Sequence, residues 1–188
     1  MPFSQSSQLS VILDWVQALA PRSVLDVGAG MGQYGFLLRN NLESVNLFRI
    51  EGNRAWQRPK SEWRILIDGI EGFAGYLTPV HDWAYNHMMI GDALSLLGAV
   101  ETGRYELAIG IDILEHLEKS RGMRLLVELR RVASRGALVS TPKAFLPQEV
   151  AANPYENHRS LWTREELTAA GFAEILPNAE SWIAASRA

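Results

Sequence analysis

Short apolar runs alternate along the chain with segments in which apolar residues recur every three or four positions. The runs are typical of buried strands and the periodic segments of helices. The first periodic segment extends from Leu9 to Leu19, after candidate N-caps at Ser6 and Ser7, and Pro21 ends it. Later strands are predicted over 22–27, 63–71, 88–92, 105–112, 137–141, 172–176 and 182–185, and later helices over 34–41, 73–86, 93–100, 113–133 and 164–171.

Regular alternation of strand and helix predicts an α/β fold with a mainly parallel sheet covered on both faces. Four of the predicted strands end in or beside an acid, namely Asp26, Glu71, Asp92 and Asp112. The carboxyl ends of parallel strands meet at one edge, where ligands of open α/β sheets bind. A single such acid is usually a turn or capping residue, but four together indicate a binding cleft.

The stretch from Val24 to Gly35 carries four glycines directly after the first strand. It predicts a tight turn into a helix, because glycine allows positive φ and lets backbone N–H groups approach a ligand. Gly30, Gly32 and Gly35 also satisfy the dinucleotide fingerprint G-x-G-x-x-G. An NAD(P)-dependent oxidoreductase therefore stays open as an alternative, as does a glycine turn without a ligand.

Asp26 lies two residues before the first of these glycines. Its carboxylate would repel a pyrophosphate, attract the amino group of a methionine moiety and suit the charge of a sulfonium. This acid therefore favours S-adenosylmethionine (SAM) over a dinucleotide.

Composition restricts the class of protein further. The 188 residues are expected to form a single domain, 1–188, and a net charge of −3 gives no basic field for nucleic acid. The absence of cysteine excludes disulfides and thiolate zinc sites. Residues 1–7 lack the pattern of a signal peptide, and no apolar run reaches the about 18 residues of a membrane span. We expect a cytoplasmic protein without membrane contact.

Two segments interrupt the regular pattern. Residues 43–63 combine basic residues with Trp56 and Trp63, which is consistent with a substrate-facing insertion or with a solvated excursion packed by its tryptophans. Residues 143–162 form a polar loop around Pro147 and Pro154, and we expect this loop to face the acceptor.

The segment Leu25-Asp26-Val27-Gly28-Ala29-Gly30-Met31-Gly32 resembles the first motif of the class I SAM-dependent methyltransferases. The resemblance extends over about residues 24–172. It implies a Rossmann-like, seven-stranded sheet with an antiparallel C-terminal strand, SAM as cofactor and S-adenosylhomocysteine as product. The cofactor-binding residues that it implies are Asp26, Gly28, Ala29, Gly30, Gly32, Tyr34, Glu71, Asp92, Ala93 and Asp112.

Two acids compete for the ribose hydroxyls that the family binds with a carboxylate after its second strand. Glu51 follows Gly28 by 23 positions, and Glu71 follows it by 43 but precedes Asp92 by only 21. One helix and one strand fit between Glu71 and Asp92, whereas Glu51 would leave an extra strand. Glu71 is therefore preferred, and residues 43–63 become an insertion.

The segment from Asp112 to Leu117 resembles the D-x-L-E-H-L segment common in small-molecule methyltransferases. The Asn/Asp-Pro-Pro-Tyr/Phe segment of enzymes acting on planar nitrogens is absent, which disfavours a DNA base or a glutamine amide as acceptor. Further segments, such as Ser140-Thr141-Pro142-Lys143, resemble a bacterial methyltransferase subgroup, and this resemblance is silent on the acceptor.

The implied reaction is in-line methyl transfer, which needs chiefly positioning and exclusion of water. Asp112 and His158 are the candidate bases, and Lys143, Gln148 and Glu156 are candidate orienting groups. The ligand spacing supports no metal site. A non-catalytic SAM-binding protein is a further alternative, and the oligomeric state stays open.

Overall fold

The computed structural model describes residues 5–187. The expectation that residues 1–7 form no signal peptide therefore falls in part, at residues 1–4, outside the described residues. Seven strands form one sheet in the order β5-β4-β1-β6-β7-β9-β8, and two form a separate hairpin. The strands are β1 Ser23–Val27, β2 Phe48–Glu51, β3 Arg54–Gln57, β4 Leu66–Glu71, β5 His87–Ile90, β6 Tyr105–Ile111, β7 Ala133–Pro142, β8 Glu174–Leu176 and β9 Ser181–Arg187.

The large sheet is parallel from β5 to β7, and β9 runs antiparallel to both of its neighbours, β7 and β8. Because β1 pairs with β4 on one side and with β6 on the other, the glycine-rich loop after β1 lies at the centre of the carboxyl edge. The expected α/β sheet with a reversed C-terminal strand is confirmed.

Helices cover both faces of the sheet, with α1, α2 and α3 in one apolar core and α4, α5 and α6 in the other. The helices are α1 Leu9–Leu19, α2 Gln33–Leu38, α3 Pro79–Ala84, α4 Ala93–Gly98, α5 Lys119–Val132 and α6 Arg164–Ala169. Alternation along β1 sends Val24 into the first core and Leu25 and Val27 into the second. None of the helices within residues 5–187 has the length and apolar content needed to cross a bilayer.

Two predictions about the starts of helices are wrong, and a third helical segment is interrupted. The helix expected over 73–86 is limited to α3, because Pro79 occupies its first turn and Thr78 caps it. The segment 113–133, expected to form one long or broken helix, is broken: a 3-10 turn covers Leu114–His116, and α5 begins at Lys119. Ser6 and Ser7 belong to a 3-10 turn before α1 and do not cap that helix.

Residues 48–57 form the β2–β3 hairpin, which pairs only with itself and is exposed at every position. Glu51 lies here, outside the seven-stranded sheet. Trp63 by contrast packs edge-on against Trp83, 5.6 Å between ring centroids, and beneath the buried guanidinium of Arg39. The end of the segment is therefore fixed to the domain by Trp63, whereas Trp56, the other tryptophan of the segment, is 51% exposed.

Gly35 lets α2 pack directly against α3 and against Tyr85, the residue that follows α3. A Cβ at this position would lie 2.1 Å from the ring of the buried Tyr85, and the Gly35 N–H donates to the Tyr85 hydroxyl. Gly35→Ala should therefore destabilise the fold by about 2–3 kcal/mol in urea unfolding. Gly98→Ala is the control, because nothing lies near a Cβ at that position. We expect this variant to gain less than about 1 kcal/mol in the free energy of unfolding. If Gly35→Ala were as stable as the wild type, the close packing of Gly35 against Tyr85 would be contradicted.

Candidate functional site

A cavity of about 360 Å³ opens at the carboxyl edge of the sheet, between the ends of β1, β4 and β6. This volume is in the range of small-molecule sites. Eight of the predicted cofactor residues line it, namely Gly28, Ala29, Gly30, Tyr34, Glu71, Asp92, Ala93 and Asp112. The cleft predicted from the strand-end acids is therefore present, with three of the four acids on its wall.

Asp26 and Gly32, also predicted to contact the cofactor, are not among the residues that line the cavity. Gly32 has φ +86° and is the N-cap residue of α2, and a Cβ there would crowd Val80 and His81. Asp26 is only 2% exposed and lies behind the glycine loop, on the face of the sheet that α3 covers. Both positions thus support the loop from behind.

Tyr85 donates its hydroxyl hydrogen to Asp26 Oδ2 at 2.6 Å. Burial raises the pKa of Asp26 to about 7, against a lowering contribution from the Tyr85 hydrogen bond. Because the glycine loop separates Asp26 from the cavity, the expected attraction of its carboxylate for an amino group would act through the loop and not by direct contact.

The backbone N–H groups of the glycine loop are used inside the protein. Gly28 and Ala29 both donate to the carbonyl of Ile70, at 2.9 and 3.0 Å, and Gly30 donates to Glu71 Oε2 at 2.8 Å. The sequence led us to expect these groups to face a ligand. In the structure they instead hold the loop against the end of β4, while the residues themselves still line the cavity.

His81 also holds the loop, and sequence reasoning missed it. Its Nε2 lies 3.1 Å from the carbonyl of Gly30, and its Nδ1 accepts from the N–H of Thr78 at 3.0 Å. Because a carbonyl can only accept, Nε2 carries the proton. The capping motif Thr78-Pro79-Val80-His81 was the available signal for this buried histidine.

Glu71 ends β4, the strand beside β1, and its carboxylate lies on the cavity wall. Oε2 accepts from Gly30 and Oε1 from Phe73, each at 2.8 Å. Burial raises the pKa of Glu71, and hydrogen bonds from backbone N–H groups oppose that rise. A carboxylate has about four lone-pair sites, so the N–H donors of Gly30, Gly72 and Phe73 leave it able to accept a hydroxyl from a ligand.

Asp92 follows β5 and has a structural task besides lining the cavity. It caps α4, with Oδ1 accepting from the N–H of Ser95 at 3.0 Å, and it forms an ion pair with Arg121. Burial raises its pKa, but the Ser95 bonds and the Arg121 pair outweigh burial and lower the pKa below its ordinary value.

Asp112 follows β6 in a left-handed conformation, φ +50°, which is rare for a residue with a side chain. Two side chains hold its carboxylate: Ser140 donates to Oδ1 at 2.7 Å, and the buried Gln8 donates to Oδ2 at 2.5 Å. Gln8 belongs to the 3-10 turn that precedes α1, so the start of the chain's first helical segment positions this acid. No sequence pattern singled out Gln8.

The loop 143–162 covers the end of the cavity farther from the glycines. Gln148, Glu156 and His158 line the cavity, as predicted, and so do Leu146 and Tyr155, which were not predicted. Lys143 was predicted to orient an acceptor, but it is not among the lining residues. Its ammonium donates to the carbonyl of Asn178 and lies 4.5 Å from the ring of Trp182.

Glu115 and His116, which follow Asp112, also line this end of the cavity. Burial first, and then the charge of Asp112, raises the pKa of Glu115 well above its ordinary value. Burial lowers the pKa of His116. These residues and His158 come together within 4.8 Å, ligand atom to ligand atom, although the sequence spacing predicted no metal site.

Comparison with known proteins gave matches by structure but not by sequence. No protein-family model matches the chain, and no curated protein matches it. A SAM-dependent methyltransferase from Archaeoglobus fulgidus superposes with a TM-score of 0.61 at 13% identity, over 95% of this chain and 94% of that one. The 1,6-didemethyltoxoflavin-N1-methyltransferase of Burkholderia thailandensis was crystallised with S-adenosylhomocysteine. It superposes with a TM-score of 0.62 at 14% identity, over 98% of this chain and 79% of that one.

Magnesium protoporphyrin IX methyltransferase from Synechocystis, also with bound S-adenosylhomocysteine, gives a TM-score of 0.57 at 16% identity, over 96% of this chain and 82% of that one. The chain has the fold of the SAM-dependent methyltransferases. The Rossmann-like architecture that the sequence predicted is thereby confirmed. In this methyltransferase fold the strand beside β1 is β4, which ends at Glu71, and Glu51 lies outside the sheet.

Proposed function

We propose that this protein transfers a methyl group from SAM to a small-molecule acceptor and releases S-adenosylhomocysteine. The observation that carries the proposal is one cavity on whose wall a glycine loop and three strand-end acids, Glu71, Asp92 and Asp112, come together. This donor set fits SAM, because carboxylates accept from hydroxyl and amino groups and favour a cation. The same acids would repel the pyrophosphate of NAD(P).

Each acid has a separate proposed task. Glu71 accepts from the ribose hydroxyls with the lone pairs that its backbone donors leave, and Asp92 faces the adenine amino group. Asp112 lies at the boundary between the cofactor and the acceptor, where Gln8 and Ser140 keep its carboxylate in place. The loop residues Gly28, Ala29 and Gly30 with Tyr34 enclose the methionine part.

When bound, SAM supplies an electrophilic methyl carbon on a sulfonium. The acceptor atom attacks that carbon in line with the sulfur, and its proton needs a base if it is a hydroxyl or an ammonium. His158 offers one: its Nδ1 lies 2.5 Å from the carbonyl of Leu146, so Nδ1 carries the proton and Nε2 can accept another. The loop 143–162 excludes water and orients the acceptor through Gln148 and Glu156.

Calorimetric titration separates this proposal from its oxidoreductase rival. We expect SAM and S-adenosylhomocysteine to bind one equivalent each, and NAD⁺ and NADP⁺ to give no binding heat at the same concentrations. Binding of NAD⁺ without binding of SAM would overturn the proposal.

A labelling experiment tests transfer and the acceptor class. The protein is incubated with methyl-labelled SAM and cell extract, and the extract is then separated into low-mass, protein and nucleic-acid fractions. We expect label in the low-mass fraction. Label confined to nucleic acid or protein would overturn the small-molecule acceptor, and SAM binding without transfer to any fraction would favour a non-catalytic SAM-binding protein.

A further inference from the structure

We propose that Glu115, His116 and His158 bind one divalent first-row transition-metal ion at the acceptor end of the cavity. Their ligand atoms, one from each residue, lie within 4.8 Å of one another. All three residues line the same cavity, so an ion held there would face the space for the acceptor.

The backbone holds the two parts of this cluster together. Glu115 and His116 are neighbours on the 3-10 turn after β6, and His158 lies 42 positions after His116. The N–H groups of Arg159 and Ser160 both donate to the carbonyl of Glu115, at 2.7 and 3.1 Å. His158 is thus fixed beside the acid by the residues that directly follow it, and the cluster belongs to the fold rather than to a free loop.

The two imidazoles are oriented as metal ligands commonly are. Nδ1 of His158 lies 2.5 Å from the carbonyl of Leu146, and Nδ1 of His116 lies 3.4 Å from the carbonyl of Asn157. Carbonyls only accept, so both rings carry their proton on Nδ1 and leave the Nε2 lone pair free. A backbone carbonyl opposite the ligating nitrogen is the usual support of a metal-bound histidine.

The charges around Glu115 also favour a cation. Its side chain is buried and accepts from the neutral Thr141 hydroxyl, and the charges of Asp112 and Glu156 act on it. The nearby guanidinium groups are engaged elsewhere, since Arg121 pairs with Asp92 and Arg159 with Glu118. A divalent ion bound beside Glu115 would be attracted by the carboxylates of Asp112 and Glu156.

The ligand set selects the kind of metal. Two imidazoles and one carboxylate suit zinc, iron, cobalt or nickel, whereas magnesium and calcium prefer oxygen ligands alone. Bonds of about 2.0–2.2 Å require the three ligand atoms to close to about 3–3.5 Å when the ion binds. Three protein ligands leave coordination positions open toward the cavity.

Those open positions bear on the methyl acceptor, and this step rests on the proposed function. An acceptor oxygen bound to the ion would lose its proton more easily, because a metal ion lowers the pKa of a bound hydroxyl. Nε2 of His158 would then bind the metal, and the proton of the acceptor would pass to the carboxylate of Asp112, the other candidate base, which lines the same cavity. The substrate class this favours is a small molecule with an oxygen donor next to its methylation site.

Cobalt binding tests the metal site without any activity assay. Untagged protein freed of metal with a chelator is titrated with Co²⁺, and visible absorption is recorded. We expect one equivalent to bind, Zn²⁺ to displace it and Mg²⁺ to leave it bound. Absence of stoichiometric Co²⁺ binding, or displacement by Mg²⁺ at equal concentration, would overturn the proposal.

Variants locate the ion. His158→Ala and His116→Ala should each weaken Co²⁺ binding at least about 100-fold, whereas His87→Ala, which removes a largely exposed histidine that contacts Asp68, should leave binding unchanged. His158→Gln replaces His158→Ala if the latter unfolds. Unchanged binding in the His158 variants would show that the ion lies elsewhere. SAM titration of the same samples separates the two proposals. If Co²⁺ does not bind but SAM does, the metal site is wrong and the proposed function is unaffected. If Co²⁺ binds but SAM does not, the proposed function is wrong and the metal site is unaffected.

Discussion

Glu71→Gln should weaken SAM binding about 100-fold, and Glu51→Gln should leave it unchanged. The Glu71 carboxylate is fixed by Gly30 and Phe73, so it meets the ribose hydroxyls already oriented. Hydrogen bonds to a charged group contribute about 1.5–3 kcal/mol each, and about 2.7 kcal/mol corresponds to 100-fold in affinity. Glutamine keeps the shape of the side chain but loses the charge and one of the two acceptors.

The comparison is matched because both variants make the same chemical change. Glu51 has a side chain 60% exposed and pairs with Arg49 on the β2–β3 hairpin. Calorimetric titration with SAM measures both variants, and urea unfolding establishes that each is folded. A larger loss in Glu51→Gln than in Glu71→Gln would show that the ribose acid does not lie at the end of β4.

The sheet and its ligand-binding edge were predictable because they follow from local patterns. Each strand is a short apolar run, and each acid follows its run directly, so the edge on which the acids meet needs only the parallel order of the strands. The exclusion of Glu51 from the sheet also follows from counting: one helix and one strand fit between Glu71 and Asp92.

Contacts between side chains distant in sequence were not predictable. Gln8 reaches Asp112 across 104 positions and Tyr85 reaches Asp26 across 59, and in each case tertiary packing selects the partner. No periodicity encodes such a pair.

The histidine cluster shows the same limit. Metal-ligand spacing in sequence was the signal sought for a metal site, and Glu115, His116 and His158 do not have it. They meet because two backbone N–H groups bind one carbonyl, that of Glu115. Ligand spacing in the sequence is therefore an insensitive signal for a cluster of this kind.

Asp26 combines a local signal with a distant partner. Its place before the glycines was visible in the sequence, but its burial behind the loop and its bond from Tyr85 were not. The consequence is a titration near neutral pH. Burial raises the pKa of Asp26 from 3.8 to about 7, so between these values the folded protein holds a proton that the unfolded chain has released.

The contribution of Asp26 to stability must therefore fall as the pH rises from about 4 to about 7, because this group binds more protons in the folded state over that range. The slope from this group is at most about 1.4 kcal/mol per pH unit. Between pH 5 and pH 8, Asp26 should remove about 3 kcal/mol from the free energy of unfolding of the ligand-free protein.

Asp26→Asn should abolish that contribution, since an amide does not titrate. The measurement is urea unfolding of both proteins at pH 5 and pH 8, and the quantity compared is the change between the two pH values. This difference is insensitive to any constant cost of placing an amide beside Tyr85. Asp14→Asn, on the exposed face of α1, is the control for the loss of one carboxylate and should behave as the wild type does. If the stability of Asp26→Asn depended on pH as strongly as that of the wild type, the Asp26 carboxylate would be ionised in the folded protein at pH 5. The glycine loop would then lie in front of a buried negative charge.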